Sequence, residues 1–139
     1  MKKLINYSLA LFFLTMLFSC KKDTIETVIT PVPTTGLTTI YQAAFTSAVH
    51  PTSGTVKLAK DAAGKKFLVF DNFKTDAGPD LRVYLSEDLT AANFTELTNK
   101  VTNGTYQLDV ATTIDTDKKR KVLIWCKSFS VLFGSADLK

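Results

Sequence analysis

The chain is poor in the residues that most enzymes use for chemistry. Its 139 residues include one histidine, two cysteines, two methionines and one tryptophan. Both methionines, Met1 and Met16, lie at the start of the chain. A Ser-His-Asp hydrolase would have to use His50 as its base, and no Gly-x-Ser-x-Gly nucleophile turn accompanies it. Structural zinc takes four protein ligands and catalytic zinc usually three, so one histidine and two cysteines fall short unless carboxylates complete the set. No Cys-x-x-Cys redox pair, no haem-attachment motif, no glycine-rich phosphate loop and no dinucleotide fingerprint occurs. No familiar catalytic constellation is present, which leaves at most a redox role. Two cysteines also exclude a disulfide-stapled miniprotein.

Charge of one sign is scarce as well. The formal net charge is +4, from 17 Lys+Arg against 13 Asp+Glu. Lys2 and Lys3 supply half of that surplus, so residues 20–139 carry only +2. Nucleic-acid binders concentrate Lys and Arg on one face or stretch, and this balance argues against a nucleic-acid partner. The run Lys118-Lys119-Arg120-Lys121 reads as a solvated hairpin flank or an edge guard rather than a binding patch.

What is present begins with a leader. Met1-Lys2-Lys3 is a short positive region, and residues 4–18 form an apolar run broken only by Asn6, Tyr7, Ser8 and Thr15. Fifteen residues of helix span about 22 Å, short of the roughly 30 Å hydrocarbon core, so the run is a signal peptide and not a membrane span. It ends Leu17-Phe18-Ser19-Cys20, which resembles a bacterial lipobox. The resemblance implies cleavage before Cys20, a diacylglycerol thioether on its sulfur and acylation of the new amino terminus. Two or three acyl chains make a stable anchor on a bacterial envelope membrane, at its periplasmic face or the cell surface. The plain alternative is an ordinary signal peptide with an incidental cysteine. Residues 20–38 follow, rich in Thr with Pro31, Pro33 and Gly36, and read as an extended tether.

Residues 39–139 read as one all-β domain. Val56 and Leu58 alternate with Thr55 and Lys57; Leu81, Val83 and Leu85 alternate with Arg82, Tyr84 and Ser86; Tyr106, Leu108 and Val110 follow the Asn103-Gly104 turn. Residues 66–73 are apolar at both parities, as expected of a strand covered on both faces or at a sandwich core. Residues 39–49 are ambiguous by period, and residues 89–100 fit either a helical turn or a loop with a short strand. Short strands at regular spacing predict a sandwich or barrel.

With Cys20 assigned to lipid, Cys126 is the one remaining thiol. By parity it shares a face with Val122 and Ile124, opposite Lys121, Leu123, Trp125 and Lys127. Free cysteine commonly serves as a small buried hydrophobe. The chemical alternative is a redox thiol or soft ligand, which needs partial exposure and nearby positive charge. Asp71, Asp76, Asp80, Glu87 and Asp88 flank the break at Gly78-Pro79 and could supply oxygen ligands to calcium, although their spacing matches no loop motif and no metal site is assigned.

Several blocks follow one another in a telling order: His50-Pro51-Thr52-Ser53-Gly54-Thr55-Val56, Phe67-Leu68-Val69-Phe70-Asp71-Asn72-Phe73, and Gly78-Pro79-Asp80-Leu81-Arg82-Val83-Tyr84-Leu85-Ser86. Gly104-Thr105-Tyr106-Gln107-Leu108 and the stretch Val122-Leu123-Ile124-Trp125-Cys126-Lys127-Ser128-Phe129 complete the set. Together they resemble the DM-thirteen family of electron-transfer domains over residues 45–138. The resemblance implies a β-sandwich of mostly antiparallel strands and a redox role centred on Cys126, either as a naked thiol or as ligand to a prosthetic group such as haem. For a haem, His50 and Cys126 would be the conventional axial candidates. An unknown redox or envelope protein would then be the partner. The competing reading is a non-catalytic interaction module with Cys126 in its core.

Overall fold

The computed structural model describes residues 35–139, so the leader, Cys20 and nearly all of the tether lie outside the described residues. Nine strands follow in order: β1 (Thr38–Ala44), β2 (Thr46–Ser47), β3 (Thr52–Lys60), β4 (Lys66–Thr75), β5 (Leu81–Ser86), β6 (Phe94–Thr98), β7 (Gly104–Val110), β8 (Lys121–Cys126) and β9 (Val131–Asp137). They form a four-stranded sheet, β1-β3-β4-β7, and a five-stranded sheet, β2-β9-β8-β5-β6, with antiparallel pairing throughout. The expected all-β sandwich is the fold. Among the described residues no helix is long and apolar enough to cross a membrane.

Alternation decides which residues meet between the sheets. Val56 and Leu58 of β3, Leu68, Phe70 and Phe73 of β4, and Tyr106, Leu108 and Val110 of β7 face Leu81, Val83 and Leu85 of β5 and Val122, Ile124 and Cys126 of β8. Burying each large aliphatic or aromatic side chain contributes about 1.5–3 kcal/mol. An aromatic group anchors this core: the Phe70 and Tyr106 rings stack with centroids 4.5 Å apart, and Phe73 meets Phe45 edge-on at 4.9 Å. Double-sided apolarity in β4 has a simple cause. Phe67 and Val69 turn outward and form a second small cluster with Ala59, against which Leu37 packs.

The two ambiguous stretches resolve by change of sheet. Residues 39–49 are not one strand: β1 stays in the first sheet, Phe45 drops into the core, and β2 joins β9 in the second. Residues 89–100 are a loop followed by β6, which pairs with β5. A bulge also shapes β3, where Gly54 has φ +100° and a Cβ there would lie 2.7 Å from the Asn72 carbonyl oxygen. Only glycine fits both conditions.

Antiparallel register gives the sandwich two distinct ends. At the first lie the start of β1, the 61–65 turn, the 87–93 and 111–120 loops and the C-terminus. At the second, the connections 48–51, 76–80, 99–103 and 127–130 converge. Cross-links hold that second end together. Thr75 N–H donates to Asn103 Oδ1 at 2.9 Å, Lys127 N–H donates to the Asp80 carbonyl at 2.9 Å, and Ala48 N–H donates to the Phe133 carbonyl at 2.8 Å. β1 therefore begins at one end, and Cys126 closes β8 at the other.

Candidate functional site

Cys126 is the last residue of β8, and its cross-strand neighbours are Leu81, the first residue of β5, and Val131, the first of β9. It is fully buried, at 0% exposure, within the main core cluster, and it is a free thiol. Cys126 shares a face with Val122 and Ile124 as its parity predicts, since all three, unlike the equally buried Leu123, belong to the main core cluster. Directly opposed residues in an antiparallel pair place their Cβ atoms about 4.5–5.5 Å apart, so Leu81 and Val131 flank Cys126 on the two neighbouring strands.

Leu81 also belongs to a surface feature. A cleft of about 560 Å³ opens between residues 75–81 and residues 99–103, with Leu81, Pro79 and Val101 as apolar lining and Asp76, Asp80 and Lys100 as charged lining. Gly78 sets how closely its loop approaches the core. A Cβ on Gly78 would come 2.9 Å from Leu81 Cδ2 and 3.1 Å from Phe133 Cζ, so glycine lets the loop settle directly onto these two side chains.

His50 stands beside this cleft without lining it. Its ring stacks on Phe133 with centroids 3.9 Å apart, and Nδ1 lies 3.2 Å from Asp76 Oδ2. With the proton on Nδ1, the N–H donates to Asp76 and leaves Nε2 as the free lone pair. The backbone fixes the residue too: His50 N–H donates to the Phe133 carbonyl, and Thr52 Oγ1 donates to the His50 carbonyl at 3.2 Å. The imidazole side chain is 40% exposed. His50 is held in place yet open to solvent; Cys126 is held in place and closed.

Asp80 and Arg82 build the start of β5. Asp80 accepts from Arg82 Nε, which holds its carboxyl below the ordinary carboxylate range, while Arg82 Nη1 reaches Glu96 on β6. The five acids weighed as a calcium group are not gathered. Asp76 and Asp80 flank the cleft, Asp71 accepts from Thr105 Oγ1 on β7, and Glu87 and Asp88 lie at the opposite end of the sandwich. Asp88 instead caps its own turn, accepting from Thr90 N–H and Oγ1 at 2.8 Å each.

A haem fits neither Cys126 nor His50 as they are arranged. Neither residue lines the 560 Å³ cleft or the two smaller ones on the first sheet, and the sulfur sits in close-packed core. The cleft itself offers no histidine, cysteine, methionine or tyrosine as an axial ligand. Leu81 and the His50–Phe133–Asp76 contact are not evident from sequence. Leu81 shares inward parity with Val83 and Leu85, but its pairing with Cys126 requires the β5–β8 register.

The fold is a two-sheet antiparallel sandwich with one interior thiol. The family model for the electron transfer domain DM13 matches residues 44–138, essentially this whole sandwich, and the chain belongs to that family. No curated protein and no solved structure matches the chain.

Proposed function

We propose that this protein is a lipid-anchored lipoprotein of the bacterial cell envelope whose sandwich exchanges electrons with a redox partner, using Cys126 as its redox-active thiol. The family match over the sandwich carries the electron-transfer part of the reading. The anchor rests on the Leu17-Phe18-Ser19-Cys20 sequence, with lipid on Cys20 and the domain tethered by residues 20–38. Fully extended, that tether reaches about 60 Å, so the domain can meet a partner well away from the bilayer. Thr38 enters at one end of the sandwich and Cys126 lies at the other, which favours a redox face turned away from the membrane. His50 is a positioned, partly exposed imidazole at that same face, suited to orienting a partner or passing a proton.

Two measurements test the reading. Cys20→Ser should move the protein from the membrane fraction to the soluble one and abolish its lipid-bearing N-terminal peptide. Hydrogen peroxide should convert Cys126 of the purified full chain to a sulfenic acid with release of water, and two equivalents of an added thiol should restore it as they form their own disulfide, with Cys126→Ala losing that electron exchange. Unchanged electron exchange in Cys126→Ala would show that the thiol is not the redox group.

One observation favours a second reading, a non-catalytic interaction module with Cys126 as core: the complete burial of the sulfur. Under it, Cys126→Ala leaves partner capture intact and the full chain shows no redox response.

A further inference from the structure

The outer face of the first sheet carries an apolar strip on the side where alternation puts solvent. Ala59, Phe67 and Val69 point away from the core between the sheets, yet they are only 2%, 8% and 4% exposed. Among the described residues, Leu37 is the apolar side chain packed against them, and it lies just before β1. A groove of about 420 Å³ runs from Leu37 past Lys57, Ala59 and Val69 to Thr105, so it crosses the sheet from β1 to β7. Three strand spacings of about 4.8 Å make that path about 14 Å long. The chain does not run straight back from β1: residues 35–36 form a turn, and Gly36 has φ +95°. Immediately upstream stands Thr30-Pro31-Val32-Pro33-Thr34, with two prolines and no charge.

We propose that this groove is the seat of the chain's own residues 30–34, which cross it in polyproline geometry and complete the cover that Leu37 begins. Such a segment rises about 3.1 Å per residue, so five residues span about 15 Å, the length of the path. Pro31 and Pro33 fix the backbone in that form before docking, which lowers the entropy cost. Val32 supplies an aliphatic side chain to the Ala59–Val69 floor, and Lys57 offers donors to carbonyls that a polyproline segment leaves unpaired. Attachment beside Leu37 keeps the segment at an effective concentration in roughly the millimolar range, so a modest intrinsic affinity is enough. A free peptide or a second copy lacks that advantage. The seat does not depend on the redox reading, and only its consequence rests on the lipid anchor. With residues 30–34 seated, residues 20–29 reach about 33 Å from the bilayer, and release of the segment restores roughly 60 Å.

The test is the rate at which iodoacetamide modifies one reporter thiol in the full chain carrying Cys20→Ser, read by mass spectrometry of the reporter's own peptide. Each rate is taken relative to the same variant unfolded in urea. Val32→Cys should react about tenfold more slowly than Thr24→Cys, which lies outside the seat. Filling the groove with Thr39→Trp or Thr105→Trp should bring the Val32→Cys rate to within about twofold of the Thr24→Cys rate. Ser128→Trp at the loop end should leave it unchanged. All three Trp variants alter exposed positions of the sandwich, so the core that holds the fold is left intact. Equal rates for the two thiols, or protection indifferent to the groove variants, would overturn the seat. Protection that vanishes on dilution would overturn it too, because the segment would then occupy the groove of a second copy. Failure of the anchor reading, seen as Cys20→Ser staying in the membrane fraction, would instead leave the seat standing and remove only its consequence for reach.

Discussion

The two ends of this sandwich differ in how many charged side chains their loops carry and in how they use them. At the end where β1 begins, basic side chains are spent on neighbours: Lys121 lies 2.7 Å from Asp137, Lys65 lies 2.8 Å from Asp109, and Lys119 donates to Asn93 Oδ1 at 2.9 Å. Arg120 donates to the Tyr41 hydroxyl at 2.8 Å with its guanidinium over the Tyr41 ring, and so ties the 111–120 loop to β1. At the loop end the ion pairs are fewer, an imidazole stays open, and a cleft separates two loops. Large apolar side chains are exposed there too, Phe129 at 70% and Val49 at 68%. The difference teaches that composition alone is a poor guide to a surface's role. The most basic stretch of the chain is engaged by its own neighbours, and the open imidazole and the cleft lie at the other end.

The largest effect expected comes from the backbone that shapes the loop end. Gly54→Ala places a Cβ against Asn72 and Phe73 at a positive φ that L-residues rarely adopt. Overpacking and the backbone penalty together predict a loss of about 3 kcal/mol, read as a lower urea midpoint with unchanged slope. A loss below about 1 kcal/mol would mean that the β3 bulge relaxes, and that the loop end is less rigidly founded than its hydrogen bonds indicate.

Cys126→Ser is the next sharpest probe. It puts a hydroxyl in an environment with no exposed surface and should cost about 1–3 kcal/mol, while Cys126→Ala should cost less. Lys118→Ala at the other end should stay within about 0.5 kcal/mol, because its partner Asp115 lies 3.9 Å away and both side chains are more than half exposed. Equal costs at the two positions would erase the contrast between a sealed site and a solvated one.

Much of this was legible in the sequence, for reasons that particular residues make plain. Leu81, Val83 and Leu85, and Val122, Ile124 and Cys126, recur at every second residue and all join the core between the sheets, although Tyr84 and Leu123 on the other parity are buried as well. Cys126 could therefore be placed on the face of Val122 and Ile124 before any contact was known. Residues 39–49 defied the same logic because Phe45 ends one strand's membership of one sheet and begins another's, which a local period cannot express. The Lys118–Lys121 run was readable as a flank from its polar surroundings, yet its particular partners Asp115, Asp117 and Asp137 follow only from the loop's path. The site's two informative neighbours, Leu81 beside Cys126 and Phe133 under His50, depend on pairing between strands distant in sequence. Nothing in a linear pattern carries register across such gaps.

Between the ends, Tyr106 offers a change of opposite sign. Its hydroxyl is buried and has no hydrogen-bond partner, and burial pushes its ionisation above the ordinary value of 10.0. Tyr106→Phe keeps the stack on Phe70 and removes the unpartnered group, so stability should rise by about 1 kcal/mol. Thermal unfolding checks it. A loss instead of a gain would reveal a buried water bound to the hydroxyl, and a more polar core than the aromatic packing indicates.

The smallest effect concerns acid, and it tests whether the ion pairs at the end where β1 begins stabilise the fold at all. The hydrogen bond from Lys121 holds the Asp137 carboxyl below its ordinary value of 3.8. A carboxylate whose folded value is lowered contributes stability that is fully present above the unfolded value. That contribution disappears as pH falls through the folded value, below about 4. The Asp137 side chain is 43% exposed, so solvent screens the pair and the contribution should be only a few tenths of a kcal/mol. Urea midpoints of the parent and Asp137→Asn should therefore differ slightly near neutral pH and converge at about pH 2.5. Asp80, lowered by Arg82 at the loop end, should behave with the same sign in Asp80→Asn. If the Asp137→Asn difference persisted in acid, the loss would come from packing at β9 and not from charge. The end where β1 begins would then be held by shape and not by its ion pairs.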